Sequence, residues 1–263
     1  MEKDKMIDTD EMIDLDEMPY KESDFLKIGT FPTGISSLDK MLGGGLRRGS
    51  LTVIAARPGM GKTSLALQLA GNIAAVGKSV CFYSLEMSKD SLIRILEKQS
   101  GSIHGYKTLH IDDHANADVP YITGKIHSLA KCDAVFVDYL QLMHSTKRKD
   151  KRVQELTEIT RDLKLMTKSL NVPVVVCAQL SRSTEGRGKG ASYKPQLADL
   201  REPGSIEQDA DIVIFPFRKS YYSEESKLND KNELIVAKNR YGPTGSIPVH
   251  WNLDKLKYEE QSE

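Results

Sequence analysis

The chain has 263 residues, 39% of them hydrophobic and 28% charged, enough apolar material for one large domain or two small ones. Its 37 basic and 37 acidic residues cancel, but residues 1–24 carry a net −7, which leaves a mildly basic body suited to a polyanionic partner. No apolar run approaches the roughly 20 residues of a membrane-spanning helix, no basic–apolar start marks a secretory signal, and three cysteines make no disulfide framework. The expectation is a protein without membrane contact, cytoplasmic, its thiols reduced.

In chain order, residues 1–28 form an acidic N-terminal segment with an imperfect six-residue repeat, Met6–Glu11 followed by Met12–Glu17. A period of six suits neither a helical stripe nor strand alternation, so a disordered tail or short linker is expected. The alternative is a segment that docks on a neighbouring subunit through its Met, Ile and Leu positions. Residues 29–254 read as the folded domain and 255–263 as a charged C-terminal tail.

Within the domain, apolar runs alternate with helical stretches. Strands are predicted at Leu51–Ala55, Ser79–Ser84, Ala134–Val137, Val172–Ala178 and Ile212–Phe215. Helices are predicted at Thr63–Val76, Ser88–Gln99, Val119–Ala130 and Val153–Leu170. Unbroken apolar strands alternating with helices predict an α/β fold, with a mainly parallel central sheet covered on both faces. Glu233–Ala237 and Ser246–Trp251 flank a Gly-Pro-Thr-Gly turn and read as an antiparallel hairpin at one edge. Two basic stretches, 144–152 and 181–203, follow the carboxyl ends of predicted strands, where open α/β sheets place ligands.

The strongest local signal is Arg57-Pro58-Gly59-Met60-Gly61-Lys62-Thr63-Ser64, between a predicted strand and a predicted helix. Glycines let backbone N–H groups close on a phosphate, and the helix N-terminus adds its dipole. Lys62 then reaches the β- and γ-phosphates and the Thr63 hydroxyl ligates Mg²⁺. Hydrolysis also needs a carboxylate near the metal and a group to activate water. Asp138, ending the run Ala134–Val137, is the candidate for the metal. Glu86, just past the strand 79–84, is the candidate base. Gln179, at the tip of the next strand, is placed to hydrogen-bond a γ-phosphate.

The phosphate loop, Ser84–Met87, Val137–Met143, Gln179–Arg182 and Leu200–Asp211 together resemble the motor domain of DnaB-family replicative DNA helicases, from about Gly29 to Trp251. The resemblance implies a RecA-like P-loop ATPase that uses ATP and Mg²⁺, forms a homo-oligomeric, six-membered ring around single-stranded DNA, and unwinds duplex. It also implies that a neighbouring subunit donates a lysine and an arginine finger, which match Lys238 and Arg240. The DNA-binding loops correspond to the two basic stretches, with Lys147, Arg148, Lys149, Arg182, Arg187 and Lys189 meeting phosphates. A helicase loader belongs among the implied partners. The family's N-terminal collar domain is not expected among these residues, which puts primase contact and the stability of a ring in doubt. Lys238–Gly242 and Leu42–Leu46 also resemble RadA and KaiC-like ATPases, so a recombination-related or regulatory ATPase is the alternative enzyme. A non-motor accessory protein that binds ATP is the third reading.

Overall fold

The computed structural model describes residues 29–145, 152–181, 193–200, 203–219 and 232–261. The acidic segment 1–28 and all six DNA-binding candidates (Lys147, Arg148, Lys149, Arg182, Arg187 and Lys189) lie outside the described residues.

A small antiparallel pair, β1 (Thr30–Phe31) and β2 (Leu46–Arg47), brackets the short helix α1 (Ser36–Met41). The core elements follow: β3 (Leu51–Ala56), α2 (Lys62–Ala75), β4 (Val80–Ser84), α3 (Lys89–Ser100), β5 (Leu109–Asp112), α4 (Val119–His127), β6 (Ala134–Asp138), α5 (Arg152–Leu170) and β7 (Val174–Gln179). After them come α6 (Pro203–Asp209), β8 (Ile212–Arg218), β9 (Asn232–Asn239), β10 (Gly245–Asn252) and β11 (Lys257–Glu260). One nine-stranded sheet runs β11-β10-β9-β8-β3-β7-β6-β4-β5. From β8 to β5 every pairing is parallel; β8-β9, β9-β10 and β10-β11 are antiparallel.

Strand alternation divides the core in two. Val80 and Phe82 of β4 face one layer with α2 and α3, while Cys81 and Tyr83 face the other with α4 and α5. Helix α2 is buried from Ser64 to Gly71 without interruption, which explains why its sequence is apolar on nearly every side. Side-chain caps set the other starts: Ser88 accepts from the Ser91 N–H ahead of α3, and Asp118 from the Tyr121 N–H ahead of α4. The cysteines are free thiols, Cys81 and Cys177 buried in strands and Cys132 partly buried.

Three features depart from expectation. β5 is an extra parallel strand at the far edge, with His110 exposed and its other residues half-buried. β8 runs on through Pro216 to Arg218, past the stretch Ile212–Ile214 that pairs with β3, so the proline interrupts no ladder on that side. The stretch 255–263, expected as a charged tail, instead contributes β11 to the sheet: Tyr258 pairs with Trp251 and is buried. Lysines and glutamates on either side of one aromatic hide that strand from a hydropathy reading.

Candidate active site

The chain leaves β3 at Ala56 and enters α2 at Lys62, and the five residues between form the loop. Gly59 and Gly61 have φ of +79° and +84°, which side chains with a Cβ rarely adopt. Gly61 is doubly constrained, because a Cβ there would lie 2.9 Å from the Trp251 ring. With glycine at its N-cap and no acidic residue in its first turn, α2 presents unpaired N–H groups and the positive end of its dipole. They open on a cavity of about 500 Å³. That is an anion site by construction.

Around the cavity stand Pro58, Gly59, Gly61, Lys62, Thr63, Ser64, Glu86 and Gln179, so one place collects most of the residues expected there. Arg57 also lines it, while its guanidinium donates to the Leu180 carbonyl at 3.2 Å. Met60 does not line it: the side chain is buried beneath the loop, so Met60 belongs to the site only through its backbone.

Asp138, at the tip of β6, has no exposed surface. Its carboxylate pairs with Lys62 Nζ at 2.8 Å and accepts from Thr63 Oγ1 at 2.6 Å. Lys62 also lies 4.1 Å from the centre of the Tyr139 ring. Burial works against the Lys62 charge, but Asp138, by charge and hydrogen bond, helps outweigh it and the ammonium stays above its ordinary range. A hydroxyl beside a carboxylate is the hard-oxygen set that Mg²⁺ takes, with water completing its shell. The residues fit that ion.

Glu86 follows β4, whose end is tied to β6 by Leu85 N–H donating to the Asp138 carbonyl at 2.7 Å. The Ser84 hydroxyl bonds the Met87 backbone at both N–H and C=O, fixing the turn that carries Glu86, which is exposed at the cavity. Gln179 is held by its backbone: its N–H donates to Gln141 Oε1 at 3.0 Å. That leaves its own amide at the cavity wall.

Lys238 and Arg240 are elsewhere. Val213, near the start of β8, pairs with Lys238, and the Arg240 N–H donates to the Asp211 carbonyl, ahead of that strand. Asp211 in turn accepts from Leu51 N–H at 2.8 Å, at the start of β3. The phosphate loop follows the other end of β3, a strand of 6 residues, so roughly 20 Å of sheet separates the two groups. Lys238 donates to the Glu207 carbonyl; burial, then the neighbouring Arg240, push its pKa down. The Arg240 guanidinium pairs with buried Asp211 at 3.1 Å and remains 54% exposed.

Several contributors were not named as site residues from the sequence, although Tyr139 lies within the motif Val137–Met143. Tyr139, Arg218, Trp251, Leu253 and Leu256 also line the cavity. Arg218 donates to the Gly59 carbonyl at 3.2 Å and stacks over Trp251 at 4.8 Å. The available signal was Trp251 itself, the one tryptophan in the chain, at the end of a predicted hairpin strand. Asp133, by contrast, sits just ahead of β6 and accepts from Ser79 N–H and Arg48, a structural tie at the edge away from the cavity.

The family described as "DnaB-like helicase C terminal domain" matches residues 30–108 and 96–260. Replicative DNA helicase DnaC of Bacillus subtilis (strain 168) is 36% identical over 256 residues, which cover 86% of this chain and 56% of that protein. The chain thus spans little more than half the length of that curated relative. A solved DnaB-like replicative helicase, described together with its interactions with primase, superimposes with a TM-score of 0.81 at 34% identity, over 89% of this chain and 62% of that one. A KaiC-like protein, PH0186 of Pyrococcus horikoshii OT3, reaches a TM-score of 0.65 at 17% identity, over 89% of this chain and 100% of that one, a likeness of fold alone.

Proposed function

Since the chain belongs to the DnaB-like helicase C terminal domain family, we propose that it is the motor of a replicative DNA helicase: an ATP-driven translocase on single-stranded DNA that unwinds the duplex ahead. One observation carries the assembly: the loop with Lys62 and the pair Lys238 and Arg240 occupy opposite ends of the same sheet. Each chain therefore holds half of two sites. A head-to-tail ring, six-membered as the family resemblance implies, joins the halves.

In this reading the loop N–H groups and Lys62 hold the phosphates of ATP. Thr63, with Asp138 behind it, would hold Mg²⁺, which would neutralise charge on those phosphates when bound. Glu86 takes the proton of the attacking water, and Gln179 donates to the γ-phosphate. Arg240 of the next copy spreads its charge over the transferring group, and Lys238 adds a second cation there. Glu86, Asp138 and Gln179 sit at the tips of adjacent strands β4, β6 and β7. The basic stretches after β6 and β7 are the DNA contacts, tracking backbone rather than sequence. A helicase loader is a further partner in this reading.

Steady-state ATP hydrolysis, with and without single-stranded DNA over a range of protein concentrations, tests it. Turnover per chain should rise with concentration and be stimulated by DNA. Turnover indifferent to both would sink the shared-site ring and favour a KaiC-like or accessory ATPase.

A further inference from the structure

The phosphate loop rests on the last strand of the chain. Tyr258 of β11, 1% exposed, donates its hydroxyl to the Met60 carbonyl. Its ring lies 4.8 Å from that of Trp251, at 58°, and the two rings form the floor under Gly61. The backbone of Tyr258 is pinned as well: its N–H donates to Gln68 Oε1 at 2.9 Å and its carbonyl accepts from Gln68 Nε2 at 2.7 Å. Gln99 Nε2 bridges the carbonyls of Ser64 and Leu256, at 2.9 and 3.0 Å. Gln68 and Ser64 belong to α2, the helix that starts at the loop. The hydroxyl is thus delivered from a frame locked to the element it serves.

A trans peptide is planar, so its C=O and N–H point in opposite directions. In the Met60–Gly61 peptide the carbonyl is drawn down onto Tyr258, and the Gly61 N–H therefore faces up, on the cavity side. Glycine on the amide side of this peptide lowers the steric resistance to a flip that would turn the N–H away. Something must hold the carbonyl.

We propose that Tyr258 is a positioning residue for phosphate binding: its hydroxyl anchors the Met60 carbonyl and so aims the Gly61 N–H at the nucleotide's phosphates. This rests on the reading of the loop as an ATP site. The substitution that isolates the hydroxyl is Tyr258→Phe, which keeps the ring against Trp251 and removes only the donor. With the full chain, affinity for ATP and for ADP should fall about tenfold, the scale of one charge-assisted hydrogen bond. The loss should appear in KM for ATP far more than in kcat. Lys62→Ala serves as the control for a disabled loop. If the unsubstituted chain binds neither nucleotide, the ATP reading fails and takes this inference with it. If it binds both while Tyr258→Phe keeps the same affinity and KM, the positioning role alone is overturned. A lower melting temperature with unchanged KM overturns it too, since Tyr258 would then only pack.

Discussion

Asp138 is a carboxylate with no exposed surface, and the ammonium of Lys62 is its counter-ion at 2.8 Å. Lys62 is therefore part of the resting structure before any ligand arrives. Because its folded pKa lies above the ordinary lysine value, the stability that the Lys62 charge contributes is fully present below that ordinary value and is lost as pH rises through the raised one. Removing the lysine alone strands a buried charge, a change that costs about 3 kcal/mol in such settings. Lys62→Met should lower the free energy of unfolding by about that much in urea titrations without nucleotide. Adding Asp138→Asn should recover at least half of the loss, because the stranded charge is gone while the Thr63 hydroxyl keeps an acceptor. A single mutant as stable as the unsubstituted chain would overturn the account of Asp138 as a buried group that needs Lys62.

At the scale of elements, the loop is shaped from two directions, by the glycine torsions within it and by the hairpin behind it. Gly61→Ala combines a φ of +84° with a Cβ 2.9 Å from a ring that Arg218 and Tyr258 hold in place. The left-handed torsion alone costs about 1–2 kcal/mol, so the loop must distort. Nucleotide binding should be lost with the far-UV spectrum intact. Trp251 reports on it directly: its fluorescence should respond to ADP in the unsubstituted chain and stay flat in Gly61→Ala. An alanine variant that binds normally would show that the loop relaxes freely. What could be read in advance follows the same division. Strands β3, β4, β6 and β7 are buried almost along their whole length and declare themselves as apolar runs; Asp138 and Gln179 are the polar residues that end β6 and β7, and Glu86 lies two residues past the end of β4. β5 and β11 are short, peripheral strands with charged or half-buried residues, and pairing rather than composition makes them strands. Trp251, Tyr258 and Arg218 reach the loop through that pairing, across some 160 to 200 positions of sequence, a distance no local pattern spans.

For the whole molecule, the decisive feature is that one sheet carries the loop with Lys62 at one end of its strands and the pair Lys238 and Arg240 at the other. Arg240 can leave without unsettling its surroundings: Asp211 would keep Lys164 and the Leu51 N–H as partners. Arg240→Ala should therefore fold as well as the unsubstituted chain, and so should be inactive only for want of a finger. Lys62→Ala should be inactive for the complementary reason, with its loop disabled and its Arg240 intact. In a head-to-tail ring every site joins the loop of one copy to the arginine of the next. An equal mixture of the two inactive variants then places an intact loop against an intact arginine at about one interface in four. Hydrolysis should reappear at about a quarter of the normal rate per chain, provided the variants are allowed to exchange subunits. If loop and arginine served the same copy, each chain would stay defective and mixing would restore nothing. Recovery on mixing thus separates a shared site from a self-contained one without any knowledge of ring size, DNA polarity or loader.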